Sequence, residues 1–155
     1  MIDRIELDQV DFQILRILQE NARMSNADLA RELGMAPSGV LERVRKLEQK
    51  GAIEGYEVKI NPAYIGQNLL AFISVKTSDI FGSDATGKAL AKIPEIQEVH
   101  NITGEFCFLV KARVADSAAL MDLMRNHMAK IKTIASTETI MVLETVKDSQ
   151  KMIIP

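Results

Sequence analysis

Two short helices joined by a turn of about three residues are written into Ser25 to Gly55, SNADLARELGMAPSGVLERVRKLEQKGAIEG, and few folds accept such a unit. Ser25 with Asp28 three residues on is the pattern of a capping box, in which hydroxyl and carboxylate meet orphan backbone donors at a helix start. Ala27, Leu29, Ala30 and Leu33 fall on one apolar stripe, and Gly34 accepts the left-handed conformation that ends a helix. Pro37 is tolerated only in a first turn, so a second helix starts there, with Val40, Leu41, Val44 and Leu47 inward. That leaves Ser38, Gly39, Glu42, Arg43, Arg45 and Lys46 outward, as a recognition helix presents residues to a DNA major groove.

The competing reading is a plain helical hairpin with a solvated basic face. Residues 1–60 carry nine Lys and Arg against eleven Asp and Glu, whereas most DNA-binding domains are basic overall. The excess is local: within residues 37–50, Arg43, Arg45, Lys46 and Lys50 face only Glu42 and Glu48. The whole chain has a net charge of −2, so contact with nucleic acid must come from such a patch, multiplied by oligomerisation.

A chain of 155 residues, 47% of them hydrophobic, is globular and makes one domain or two small ones. No apolar run approaches the ~18 residues of a membrane span, and the opening MIDRIELDQVD is too polar for a signal peptide. The expectation is a cytoplasmic protein without membrane contact. The single Cys107 agrees with a reducing compartment and rules out a multi-cysteine metal site.

Before the helix-turn-helix, Asp8 caps a first helix with Ile14, Leu15 and Leu18 inward, and Asn21 to Met24 turns into the next. After it, Ile53, Tyr56, Val58 and Ile60 suggest an extended arm over Ala52 to Ile60, a wing beside the recognition helix. Asn61-Pro62 punctuates the chain, which puts the linker at about residues 57–67 and the domains at 1–60 and 61–155.

The second domain alternates differently. Strands are predicted at Leu69 to Thr77, Ile96 to Thr103, Phe106 to Val114 and Ile134 to Val146; helices at Ser83 to Ile93 and from Asp116 or Ser117 to about Ile131. The order βαββαβ is that of ferredoxin-like domains, so the fold class is α+β. Both helices cover one sheet face, and apolar residues on the other predict a sheet-against-sheet homodimer.

The residues resemble the Lrp/AsnC family of feast/famine transcription regulators over nearly the whole chain. The likeness runs from LDQVDFQILRILQENARMSNADLARELGM through VLERVRKLEQKGAIEGYEVKINPAYIG to HNITGEFCFLVKARV and STETIMVLETVK. The resemblance implies an N-terminal winged helix-turn-helix, a ferredoxin-like domain of the RAM type that senses a small molecule, a dimer built through that domain, and often an octamer of four dimers. It also implies an amino-acid effector bound between dimers, with Thr103 and Gly104 in the pocket loop. Two positions depart from the family. Ala36 stands where Ser usually caps the recognition helix, which removes a contribution of typically ~1 kcal/mol. Cys107 stands where Gly-x-x-Asp supplies a carboxylate near the ligand ammonium; Glu105 is the substitute the sequence offers.

Each remaining candidate has an ordinary alternative. Cys107 with His100 as base would make a nucleophile or redox switch, yet a lone strand cysteine is usually a small buried hydrophobe. His100 and His127 lack neighbours at metal-ligand spacing. Leu120, Met121, Leu123, Met124 and Met128 read as core, and Ser136, Thr137 and Thr139 as strand residues that can also offer hydroxyls to an effector. No phosphate-binding loop, zinc-hydrolase motif or nucleophile elbow occurs, so neither catalysis nor a cofactor is expected. The reading is a sequence-specific transcription regulator that binds double-stranded DNA through Ser38, Gly39, Glu42, Arg43, Arg45 and Lys46, with Lys59 of the wing on the backbone. Its effector contacts are Thr103, Gly104, Glu105, Cys107, Ser136, Thr137 and Thr139. The rival reading is a small-molecule-sensing oligomer with a vestigial helix-turn-helix.

Overall fold

The computed structural model describes residues 6–80 and 82–155; the first five residues of the predicted first domain, and Phe81, lie outside them. The chain divides into two units, Met1–Lys59 together with Asp148–Pro155, and Ile60–Lys147. The sequence reading assigned everything after residue 60 to the second domain, but the last eight residues return to the first.

The first unit is three helices, α1 (Gln9–Glu20), α2 (Asn26–Leu33) and α3 (Pro37–Gln49). Ile14, Leu18, Leu29, Ala30, Val40, Val44 and Leu47 form its core, while Leu15 and Leu41 are half-buried and Ala27 is exposed, outside the expected stripe. The reciprocal capping box sits on α1: Asp11 N–H donates to Asp8 Oδ1 at 2.9 Å and Asp8 N–H to Asp11 Oδ2 at 3.2 Å. At α2 only half of the expected box forms. Ser25 Oγ accepts from Asp28 N–H at 3.1 Å, but the Asp28 oxygens are taken by the Ser25 hydroxyl and Arg31. Gly34 ends α2 at φ +64°, and Pro37 opens α3 behind Ala36, which gives no side-chain cap. Among the described residues the predicted wing forms no strand ladder. Residues 54–60 are neither helix nor strand and are exposed, with Tyr56 Oη donating to Glu48 Oε1 at 2.9 Å near the end of α3.

The second unit is an antiparallel sheet of β1 (Leu69–Thr77), β2 (Ile96–Asn101), β3 (Phe108–Val114) and β4 (Ile134–Met141) in the order β2-β3-β1-β4. With α4 (Ala85–Leu90) and α5 (Ser117–Asp122), this is the ferredoxin-like order βαββαβ. The register puts Ile73, Val75, Phe108, Val110 and Ala112 on the helix-covered face, in one core with Leu90, Leu123 and Met128. Several elements end earlier than the sequence suggested. Helix α4 stops before Pro94, which excludes its predecessor from helical conformation. Strand β4 stops at Met141 because β1 begins at Leu69: Val142 N–H takes the Leu70 carbonyl at 2.9 Å, and beyond it no partner strand remains among the described residues.

Candidate functional site

Of the candidates on α3, Ser38, Glu42, Arg45 and Lys46 are exposed and Gly39 is half-buried. Among the described residues neither Arg45 nor Lys46 has an ion-pair partner, so both cations are available to phosphate. A methyl group at Gly39 would meet only Met35 Cε, at 3.9 Å, so packing within the chain does not demand glycine there. Close approach of something outside the chain is the remaining physical use of that position.

Arg43 corrects the sequence reading. Its Nη1 donates to Asp8 Oδ2 at 2.7 Å and Asp11 Oδ1 at 2.9 Å, tying α3 to the capping box of α1. Helical spacing placed it outward, but two carboxylates more than thirty residues earlier draw it sideways. Asp11 is buried, and without the guanidinium its charge would stay desolvated and unpaired. Arg43→Ala is therefore expected to lower the stability of the first unit by about 1–2 kcal/mol, discounted because the guanidinium is itself partly solvated. Urea unfolding checks this; an unchanged midpoint alongside weakened DNA binding would return Arg43 to the DNA face. The Asp8 carboxyl is held below its ordinary range, first by the Asp11 backbone N–H and then by Arg43. Its stabilisation is complete above the unfolded-chain value and disappears as pH falls through the lower folded value, so acid loosens this clasp only below about pH 4.

The wing candidate Lys59 is also engaged, its Nζ donating to the Asp148 carbonyl at 2.5 Å. Tyr56 keeps its proton: burial first, then Glu48, pushes its hydroxyl up to about 12.

In the second unit the candidates converge on one end of β1. Cys107 N–H donates to the Val75 carbonyl at 2.9 Å, and the Cys107 carbonyl accepts from Ile102 at 3.0 Å, closing the β2–β3 loop. Gly104 holds φ +115° in that loop, a conformation side-chain-bearing residues avoid. On the other side of β1, Lys76 is in register with Ser136 and Val75 with Thr137. Lys76 also bridges to the loop, with Nζ 3.3 Å from Glu105 Oε1. Glu105, Cys107, Ser136 and Thr137 thus flank the same two residues of β1, Val75 and Lys76. Thr103 and Gly104 lie exposed at the loop tip, and Thr139 is further along β4, its hydroxyl 3.8 Å from Met124 Sδ.

Sequence reasoning missed the cavity here. About 310 Å³ opens beside Met124, Met128, Ile131, Ile134, Ser136 and Thr137, and no lining residue is charged. Past α5 the helix widens to a π turn, with Met128 N–H reaching back to Leu123; Met124 lies in that turn and Met128 closes it. Such turns recur at functional sites, but nothing in the hydrophobic period announces one. The cavity accepts an apolar side chain; charged ends of a ligand would have to meet Lys76, Glu105 and the backbone of the Gly104 loop.

The nucleophile pair is not assembled. Cys107 Sγ accepts from the Thr77 hydroxyl at 3.5 Å, which with the Thr77 backbone lowers its pKa, whereas His100 pairs with Glu98 at 3.0 Å. His127 is 3.7 Å from Asp122, and no cluster fit to hold a metal exists among the described residues. Glu98 has Lys111 at 2.8 Å, which with His100 holds its carboxyl below the ordinary range.

Comparison with known proteins matches the two units to two families: residues 7–54 to the winged helix-turn-helix DNA-binding model, and residues 70–152 to the Lrp/AsnC ligand binding domain. The leucine-responsive regulatory protein of Escherichia coli K12 is 37% identical over 153 residues, 96% of this chain and 92% of that protein. The structure of E. coli AsnC aligns with a TM-score of 0.85 at 29% identity, covering 96% of this chain and 99% of that one. A transcriptional regulator from Neisseria meningitidis, solved as a complex with L-Met, aligns with a TM-score of 0.85 at 27% identity over 95% and 96% of the two chains.

Proposed function

This chain belongs to the Lrp/AsnC family of transcription regulators, and from that premise we propose that it binds operator DNA as a homodimer and changes its assembly or affinity when an amino acid binds. It is a regulator rather than an enzyme. The observation that carries the DNA half is the exposed, unpaired pair Arg45 and Lys46 on α3, beside a glycine that no internal packing requires. Ser38, Gly39 and Glu42 complete the reading surface; Arg43 positions it. Dimerisation uses the uncovered sheet face, where Phe72, Leu109 and Ile140 carry apolar surface among Lys111, Arg113 and Glu98. Paired copies, and octamers of four dimers, multiply the phosphate contacts that one weakly charged unit lacks. This work belongs in the cytoplasm, with the DNA.

For the effector, the uncharged cavity beside Ser136 and Thr137 favours an amino acid with an apolar, flexible side chain. The neighbour solved with L-Met makes L-methionine the first probe. With no carboxylate at Cys107, the ammonium group falls to Glu105, whose bond to Lys76 must then open. The test has two readouts. Affinity for an operator should exceed that for bulk DNA by ~10³ or more, and fall steeply with salt. Among amino acids titrated singly, one at a hundred times its dissociation constant should add about 2.7 kcal/mol to stability. Equal affinity for all DNA would leave a sensing oligomer with a vestigial helix-turn-helix. No thermal shift from any amino acid would remove the effector assignment.

A further inference from the structure

The last eight residues of the chain return to α1. Gln19 of α1 holds the backbone of Met152 at both ends of its amide: Nε2 donates to the Met152 carbonyl at 2.8 Å, and Oε1 accepts the Met152 N–H at 2.8 Å. At the next residue, Glu20 Oε2 is 2.6 Å from Lys151 Nζ, and one turn earlier Arg16 donates to the Pro155 carbonyl. Asp148 takes Lys59 through its carbonyl at 2.5 Å and its carboxylate at 3.5 Å. The segment is thus strapped along the first helix of the DNA-reading unit by side chains that recognise its backbone.

The chain passes between its two units twice, at Lys59–Ile60 and at Lys147–Asp148, and the Lys59 bond pins these two crossing points together. The second crossing is short. Its last bond to the sheet is Val142 N–H to Leu70, and its first bond in the other unit is at Asp148. Five residues lie between, a reach of roughly 20 Å when fully extended. The strand that feeds this tether, β4, is the one that bears Ser136 and Thr137 at the cavity.

We propose that the 148–155 strap transmits the state of the effector cavity to the helix-turn-helix: a shift of β4 is passed through the short tether to α1, and through the Arg43 clasp to α3. The proposal rests on the amino-acid response assigned above. A ligand changes DNA affinity only through a difference between two states, and here the strap is the element both states must move.

The test compares the full chain with Gln19→Ala, which removes both bonds to Met152, and with a chain ending at Lys147. Each is assayed for operator affinity with and without saturating L-methionine, and for L-methionine binding by thermal shift. Both variants are expected to bind operator and L-methionine within about threefold of the full chain, while the ratio of operator affinities with and without the amino acid collapses to about one; typical couplings are 5–150-fold. An undiminished ratio in Gln19→Ala and in the shortened chain overturns the strap. A full chain that binds L-methionine with no effect on operator affinity overturns it as well. If the full chain binds no amino acid at all, the effector assignment fails first and the strap falls with it, an outcome distinguished by the absent thermal shift.

Discussion

Operator affinity of the double substitution Arg45→Ala and Lys46→Ala should fall by about three decades at ~0.1 M salt, while the melting temperature stays where it was. Both side chains are exposed, and among the described residues neither pairs with an acid, so their removal strands no buried charge. Alanine is also the better helix former, so α3 should not weaken. The loss comes from counterion release. Each phosphate neutralised contributes about 0.9 to the slope of log K against log salt, and a dimer loses two contacts from each copy. The slope should therefore become shallower by ~3–4, and the affinities of the two proteins should converge as salt rises towards ~1 M. If affinity drops while the slope is unchanged, these residues act through bases or helix geometry and the phosphate assignment fails. Arg43→Ala would show the opposite pattern, with stability lowered and the slope kept.

That contrast marks where the sequence stopped being readable. Capping and punctuation are local, so Asp8, Ser25, Gly34 and Pro37 set helix boundaries that the structure repeats. Clean alternation placed Phe108, Val110, Ala112 and Val114 on one face of β3. Arg43 was misplaced because helical spacing reports which way a residue leaves its own helix, while its partners Asp8 and Asp11 lie on another. The wing was read from alternation alone, and although residues 7–54 match a winged helix-turn-helix model, residues 54–60 pair with no strand among the described residues. The return of residues 148–155 to α1 leaves no periodic trace, since Gln19 captures backbone rather than a patterned side chain. At the proposed effector end, the Gly104 loop comes from the family resemblance rather than from periodicity. The cavity depends on a π turn that periodicity averages away.

A second large effect is expected at a contact that no pattern in the chain announces. Gly87 lies in α4 against Phe108, and a Cβ built there would sit 2.7 Å from Cε1 and 3.1 Å from Cζ of that ring. Phe108 is 4% exposed and follows directly on Cys107, whose N–H fastens the Gly104 loop to β1. Phe108→Ala should lower the stability of the second unit by about 3–5 kcal/mol, combining lost transfer energy with a cavity that close-packed neighbours cannot fill. In a unit of this size that lowers the melting temperature by on the order of 20 °C. Gly87→Ala should also destabilise, because overpacking at about 1–3 kcal/mol exceeds the ~1 kcal/mol of helix propensity gained. Together the two changes should cost less than Phe108→Ala alone. The added methyl enters space the ring has left, the clash is gone, and the propensity gain remains. The double-mutant cycle should therefore show a coupling of about 1–3 kcal/mol. Additive melting shifts would mean that α4 moves aside instead, and that Gly87 is not what seats the ring beneath the Gly104 loop.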